Sequence, residues 1–234
     1  MFDFTDEVVV VTGADGNVGT AAARAFYAAG ASVALVARRR EKLAAAFGAE
    51  MPEMDRVLYV AADLTEEEAV AAGVAQIVAR YGRIDALINV AGGFKAGTAV
   101  HGTSLSTWDF MFNLNARTVF LMSRAVIPHM LARQKGKIVS VAARAGLEGA
   151  ANMAAYAVSK SAVIRLTESM AAELKEYHIN VNCILPGAID TPQNRARSPQ
   201  ADFRQWVKPE AVADVLLFLA SDAARAVHGA AVPA

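Results

Sequence analysis

The chain has 234 residues, with 23 basic and 23 acidic side chains, 55% hydrophobic residues and one cysteine. This length and apolar content suit one domain with a large core, while the balanced charge argues against nucleic acid as a partner, because phosphate backbones select basic proteins. A single cysteine forms no internal disulfide, so a reducing, cytoplasmic location is expected.

Strand-like and helix-like segments alternate along the whole chain. The predicted strands are, in chain order, Val8–Val11, Ser32–Ala37, Val57–Ala62, Ala86–Val90, Lys137–Ala142 and Asn180–Leu185. The predicted helices are Gly19–Ala29, Glu41–Phe47, one that begins at Thr65, Leu105–Leu131, Ala155–Tyr177 and Glu210–Ser221. This alternation predicts an α/β fold over residues 1–234, a single doubly wound Rossmann-type parallel sheet with helices on both faces.

Several other kinds of site are not expected. The segment Met1–Glu7 is short and acidic and lacks the pattern of a secretory signal. No apolar run approaches the roughly 20 residues of a membrane span, so no membrane partner is predicted. The four histidines are scattered without metal-ligand spacing, which predicts no metal site. Cys183 lies in an apolar run and is interpreted as a buried strand residue rather than a nucleophile.

A glycine-rich turn separates the first predicted strand from the first predicted helix. Glycines there let the chain turn sharply, and they let a pyrophosphate approach the backbone and the N-terminus of the helix. A doubly wound sheet also binds its ligand at this edge. We therefore predict a dinucleotide site in this turn, formed by Gly13, Asp15, Gly16, Asn17, Val18 and Gly19.

The end of the second predicted strand bears on the choice of dinucleotide. Ala37 stands where a carboxylate would bind the ribose hydroxyls of NAD, and Arg38 and Arg39 follow it. Guanidinium groups match a 2′-phosphate through their charge and their planar donors. NADP is therefore favoured over NAD as the cofactor, the alternative being that these arginines form only a solvated start to the next helix.

Tyr156 and Lys160 are the candidate catalytic pair. Residues four apart share one face of a helix, so the phenol and the ammonium can reach the same pocket. A phenol exchanges protons poorly at neutral pH, and a nearby Lys⁺ lowers its pKa. The spacing therefore favours general acid–base chemistry at Tyr156, assisted by Lys160.

These motifs, in this order, resemble the short-chain dehydrogenase/reductase family. The resemblance implies a nicotinamide-dependent oxidoreductase with a small-molecule substrate, assembled as a homo-oligomer, a dimer or a tetramer, through long helices such as Ala155–Tyr177. It implies a catalytic, relay-supporting role for Asn115. It also implies further cofactor contacts along the carboxyl edge of the sheet, by Asp63, Leu64, Asn89, Ala91, Gly92, Tyr156, Lys160, Pro186, Gly187 and Thr191.

The chain departs from this family at two points. Asn17 stands where the family usually has a glycine. Aligned with the family's fifth strand, the chain has Ala143 at the position of the catalytic serine, while Ser140 lies earlier, inside the strand. The family also usually has a final strand near the point where this chain stops, soon after Ala231.

Dihydropteridine reductases of the same superfamily also lack that serine, and the second half of the chain resembles them. The similar stretches are Val90–Phe94, Gly146–Gly149 and Asp190–Trp206. The resemblance implies hydride transfer to a small C=O or C=N substrate, such as a quinonoid dihydropterin.

The predicted substrate pocket lies under a lid formed by Gln193–Trp206. Phe94, Met153 and Trp206 are candidates to line it, with packing in the core or lid as the alternative. Two other functions stay open, a carbonyl or alcohol dehydrogenase of the 3-oxoacyl type and a non-catalytic dinucleotide sensor.

Overall fold

Seven parallel strands form the centre of the molecule, whose computed structural model describes residues 2–234. They are β1 (Val8–Thr12), β2 (Ser32–Ala37), β3 (Val57–Ala61), β4 (Ala86–Asn89), β5 (Gly136–Val141), β6 (Ile179–Leu185) and β7 (Ala231–Pro233). Their order across the sheet is β3-β2-β1-β4-β5-β6-β7. The direction of winding reverses between β1 and β4, which confirms the predicted doubly wound, Rossmann-type sheet.

Helices cover both faces of this sheet. They are α1 (Asn17–Ala28), α2 (Arg40–Phe47), α3 (Glu67–Tyr81), α4 (Leu105–Phe112), α5 (Thr118–Arg133), α6 (Ala154–Leu174), α7 (Pro192–Arg197) and α8 (Pro209–Ala220). Neighbouring residues of a strand point to opposite faces, so Val9 packs with Phe26 of α1, whereas Val10 joins the cluster that contains Val126 of α5. Burial on both faces explains why the strands are almost continuously apolar.

The single helix predicted over Leu105–Leu131 is wrong, because a π-helical turn interrupts it. Helix α4 ends at Phe112, a π-helical turn spans Asn113–Arg117, and α5 then continues to Arg133. A π-helical turn widens the helix locally and is frequent at functional sites. Here it contains Asn115, whose side chain is fully buried.

A seventh strand, which the sequence analysis did not predict, closes the sheet. Strand β7 pairs in parallel with the second half of β6, with Cys183 opposite Ala231 and Leu185 opposite Pro233. The long predicted helix at Ala155–Tyr177 is confirmed as α6, although its last three residues form a separate 3₁₀ turn. Among the described helices, none has the length and hydropathy needed to cross a bilayer.

Candidate active site

The glycine-rich turn lies at the carboxyl edge of the sheet, between β1 and β4. Gly13 has a φ of +62°, and a Cβ atom there would lie 2.8 Å from the Cα atom of Ala91. A Cβ atom on Gly19 would lie 2.1 Å from the carbonyl oxygen of Gly13. Only glycine therefore fits either position. The Thr12 hydroxyl accepts hydrogen bonds from the N–H groups of Val90 and Ala91, which ties the two strand ends together.

Helix α1 begins within this turn, two residues before its predicted start. Its first N–H groups have no acceptor inside the helix and carry the positive end of the helix dipole. Gly16 and Asn17 are exposed and Val18 is partly exposed, so the helix end is accessible. The close backbone packing and this open helix end fit the pyrophosphate of a dinucleotide. The Asn17 amide also donates a hydrogen bond to the side chain of Gln193.

The residues predicted to bind the adenosine end lie at the carboxyl ends of β2 and β3. Arg38 and Arg39 are exposed, and neither side chain forms a hydrogen bond or an ion pair within residues 2–234, whereas the Arg40 guanidinium donates to Glu53 and to the Tyr59 carbonyl. The N–H and hydroxyl groups of Thr65, and to a lesser extent the charge of Arg38, lower the pKa of Asp63.

Two other predicted cofactor residues near this edge point into the protein. Leu64 is buried in the apolar cluster with Val60 and Val70, so its side chain packs in the core. The Asn89 amide is also buried, and it donates to the hydroxyls of Ser123 and Ser140. Ser140 is fully buried inside β5.

Tyr156, Lys160 and Asn115 lie around the loop that follows β4. The Lys160 ammonium donates to the Val141 carbonyl at 2.8 Å. A Cβ atom on Gly92 would lie 3.2 Å from the Lys160 Nζ atom and 2.9 Å from the Asn115 Oδ1 atom, so both side chains contact this glycine. The Asn115 amide exchanges two hydrogen bonds with Gly93 and donates a third to Ser159.

Burial dominates the electrostatics of this pair. It raises the pKa of Tyr156 to about 12 and lowers the pKa of Lys160 to about 8. The expected lowering of the Tyr156 pKa by Lys160 is therefore wrong for this structure, where the ammonium is directed at the Val141 carbonyl and desolvation of the phenol prevails. Tyr156 consequently stays protonated at neutral pH.

An aromatic contact lies on the open side of the tyrosine. The rings of Phe94 and Tyr156 meet edge to face, with 4.8 Å between their centroids. The Arg197 guanidinium carbon lies 5.6 Å from the Phe94 ring centroid. Trp206 packs instead on Phe203, at 4.9 Å between centroids. Of the two aromatic residues predicted to line the pocket, the structure therefore places Phe94 beside Tyr156 and packs Trp206 within the lid.

The lid, Gln193–Trp206, lies beyond β6 in the chain and is partly helical. Helix α7 begins at Pro192, and the Thr191 hydroxyl caps it by accepting a hydrogen bond from the Asn194 N–H. Met153, the third residue predicted to line the pocket, immediately precedes α6.

The ends of β5 and β6 form the remaining wall of the predicted substrate pocket. Ala143 is buried, and the next residue, Arg144, donates its N–H to the Pro186 carbonyl. A Cβ atom on Gly187 would lie 3.8 Å from the Arg144 Nε atom, so this exposed guanidinium lies against Gly187. Neither Arg144 nor Arg197 was predicted from the sequence to lie at the site. Within residues 2–234, no cluster of three or more His, Cys, Asp or Glu side chains could hold a metal ion.

The sequence model of a family described as short chain dehydrogenase matches residues 7–202. This chain belongs to the short-chain dehydrogenase family. It is 36% identical to 2-(R)-hydroxypropyl-CoM dehydrogenase from Xanthobacter autotrophicus, over 96% of this chain and 95% of that protein. It is 32% identical to a 3-oxoacyl-[acyl-carrier-protein] reductase from Thermotoga maritima, over 95% and 94% of the two chains.

A solved structure gives the same result for the fold. NAD⁺-bound xylitol dehydrogenase superimposes with a TM-score of 0.90 at 30% identity, covering 98% of both chains. The short-chain dehydrogenase is thus an oxidoreductase of a family that binds NAD(H) or NADP(H). The resemblance to dihydropteridine reductases stays a prediction.

Proposed function

We propose that this short-chain dehydrogenase reduces a small carbonyl compound to its alcohol, with NADPH as the preferred cofactor. The proposal rests on one observation: Lys160 and Asn115 both contact Gly92, in the loop that follows β4. The half-buried Tyr156 lies four residues before Lys160, on the same face of α6. The substrates named for the two relatives, a hydroxyalkyl and a 3-oxoacyl compound, support alcohol and carbonyl chemistry.

Tyr156 would act as the proton donor. A phenol whose pKa is about 12 remains protonated at neutral pH, yet it is a stronger acid than the alcohol product, so it can protonate the alkoxide that forms when a carbonyl accepts hydride. The proton then passes from the Tyr156 hydroxyl to the substrate oxygen, and the phenolate is reprotonated from solvent. The reverse reaction, oxidation of an alcohol, would start from the Tyr156 phenolate, which the raised pKa makes scarce at neutral pH.

Lys160 and Asn115 would position this centre. When bound, the nicotinamide dinucleotide supplies the hydride. Lys160 lies close enough to Gly92 to contact a ribose held along that loop. Asn115 holds the loop through Gly93 and holds α6 through Ser159, so it fixes the distance between the cofactor side and the tyrosine side.

The preference for NADPH rests on the adenosine end of the cleft. Ala37 is buried and provides no carboxylate for ribose hydroxyls, while Arg38 and Arg39 are exposed at the adjoining strand end. A 2′-phosphate bound there would gain charge-assisted hydrogen bonds that a free hydroxyl cannot make.

Ala143 occupies the position that we assign to the missing catalytic serine. Without that hydroxyl, the substrate oxygen would receive its hydrogen bond from Tyr156 alone. One such donor is worth roughly 2.7–4 kcal/mol in a polarised site. We therefore expect slow turnover of unactivated ketones and faster turnover of substrates that carry an activating group.

A quinonoid dihydropterin is the second candidate substrate. Its reacting group is an imine-like system that does not need the serine, and the exposed Phe94 ring beside Tyr156 offers a surface for a flat heterocycle. Generation of this compound in situ, in the presence of NADPH or NADH, distinguishes it from the ketone substrates.

The decisive experiment compares the oxidation of NADPH and NADH with a 3-oxoacyl thioester, a cyclic ketone and a quinonoid dihydropterin. Tyr156→Phe should lower kcat by at least about 10²-fold while the dinucleotide still binds. Tyr177→Phe, which removes an exposed hydroxyl beyond the end of α6, serves as the matched control. Turnover that survives in Tyr156→Phe would contradict the proposal, and cofactor binding without turnover would favour the sensor.

A further inference from the structure

Within residues 2–234, the guanidinium groups of four arginines form neither a hydrogen bond nor an ion pair, namely those of Arg38, Arg39, Arg144 and Arg197. Every other arginine donates to a carboxylate or to a backbone carbonyl. Arg38 and Arg39 lie at the adenosine end and are accounted for by the proposed 2′-phosphate. Arg144 and Arg197 have no such explanation.

Both of these remaining arginines border the proposed substrate pocket. The Arg197 guanidinium lies over the ring of Phe94, whose edge-to-face partner is Tyr156. Arg144 follows Ala143 at the end of β5 and lies against Gly187 at the end of β6. The Arg197 guanidinium therefore lies near Tyr156 on the lid side, and the Arg144 guanidinium lies at the ends of β5 and β6.

The nearby carboxylates do not neutralise this charge. Both carboxylate oxygens of Asp190 are occupied by Arg195, and Asp202 is paired with Arg204 in the same way. Glu148 follows in the loop after Arg144, but in residues 2–234 it forms no ion pair with either arginine. The pocket mouth thus keeps uncompensated positive charge, which attracts anions.

The setting of Arg197 suits the recognition of an oxyanion. Its guanidinium carbon lies over the Phe94 ring, and its N–H donors have no hydrogen-bond partner within residues 2–234. A planar fork of donors matches the two oxygens of a carboxylate. Lysine or a neutral donor would lack this bidentate match.

We propose that the substrate carries an oxyanion of the carboxylate class, which pairs with Arg197 while its carbonyl lies at Tyr156. Arg144 strengthens the positive potential from the β5 side. The inference rests on the proposed function, because it assigns the substrate class of that same site. It also supplies the activating contact that a pocket without the serine requires, since remote binding energy can orient the carbonyl.

The test measures binding separately from turnover. Calorimetry on the NADP⁺-loaded protein compares cyclohexanecarboxylate with cyclohexanecarboxamide, which share a ring and lack a reactive ketone. The carboxylate should bind at least about tenfold more tightly, and the advantage should shrink with added salt. Arg197→Met should abolish most of this preference, Arg197→Lys should restore part of it, and Arg144→Met should reduce it.

Arg204→Met is the matched control, since Arg204 lies in the same lid but is paired with Asp202. It should keep the preference for the carboxylate. Equal binding of the two ligands, or a preference that survives in Arg197→Met, overturns the inference. Reduction of 4-oxocyclohexanecarboxylate and its carboxamide is then measured with NADPH. If the carboxylate binds through Arg197 but neither ketone is reduced, the proposed function fails while the anion site stands.

Discussion

The Asn17 amide in the first turn of α1 donates a hydrogen bond of 2.9 Å to the Gln193 side chain in α7. These residues are far apart in the chain, and they connect the glycine-rich turn with the lid that follows β6. The two walls of the cleft are therefore joined across the line along which a dinucleotide would lie. Asn17 is also the residue that replaces the usual glycine of the family's motif, and its side chain is what makes this link.

Loss of this link should loosen the lid. Gln193→Ala removes an exposed hydrogen bond worth about 0.5–1.5 kcal/mol, so the dissociation constant for the cofactor should rise roughly 2–10-fold. Titration of cofactor fluorescence measures the change. A double-mutant cycle with Asn17→Ala isolates the pairwise coupling, and Gln200→Ala, an exposed glutamine in the same lid, is the control. Fully additive effects would show that the contact contributes nothing.

Arg38 and Arg39 should decide the choice of cofactor. Replacement of either by alanine should weaken NADPH binding by about 10-fold or more, since a hydrogen bond to a charged group contributes about 1.5–3 kcal/mol. NADH binding should change little, because NADH has no 2′-phosphate. Parallel titrations with both dinucleotides check this, with Arg24→Ala, at an exposed arginine paired with Glu50, as the control. An NADH preference in the unaltered protein would refute the assignment.

Lys160→Met should stabilise the fold while it impairs the enzyme. Burial lowers the pKa of Lys160 from 10.5 to about 8, so the folded state is penalised for carrying this charge. The penalty is complete below about pH 8 and disappears as the pH rises towards 10.5, because the unfolded chain keeps its proton over that range. Near pH 7 the variant should gain roughly 1–3 kcal/mol in free energy of unfolding. This figure already allows for the lost hydrogen bond from Lys160 to the Val141 carbonyl.

Urea unfolding at about pH 7 and about pH 10 tests this dependence, since the gain should be small at the higher pH. Lys175→Met, in the exposed turn after α6, should show no comparable change between the two conditions. If Lys160→Met were equally destabilised at both pH values, burial of the charged Lys160 ammonium would not lower the stability of the folded state.

The outer surface of the helices predicts self-association. Phe110 of α4, Phe120 of α5 and Val158 of α6 are between 44% and 51% exposed, which is unusual for large apolar side chains on neighbouring helices. Light scattering should therefore give the mass of a dimer or a tetramer. Phe120→Asp should shift the mass downwards, whereas Met54→Asp, at an exposed methionine in the α2–β3 loop, should not. A monomeric unaltered protein would contradict the expectation.

The sheet could be predicted because its strands are short apolar runs bounded by turns. The predicted strand Val57–Ala62 differs from β3 by one residue, and the predicted strand Ser32–Ala37 has the bounds of β2. The glycine-rich turn and the Tyr156–Lys160 spacing were readable for the same reason. Each depends on residues close in sequence, whose local geometry follows from their types.

Features that depend on contacts between residues distant in the sequence could not be predicted. Strand β7 has three residues and ends in a proline, so its pattern is too short to read, and it exists through pairing with β6. The π-helical turn around Asn115 has a composition typical of a helix, and the spacing of apolar residues there does not distinguish it from an α-helix. The free state of Arg144 and Arg197 likewise depends on which carboxylates the fold brings near them.

Strand β7 should influence the rate at which the Gly187 amide hydrogen exchanges with solvent. The Gly187 N–H donates to the Ala234 carbonyl, and the Ala234 N–H donates to the Leu185 carbonyl. A three-residue strand can separate from the sheet at low cost, and each separation would release the Gly187 amide. Deuterium uptake at Gly187 should therefore follow that of β7. A ligand that steadies the Pro186–Gly187 segment should also protect this strand from exchange.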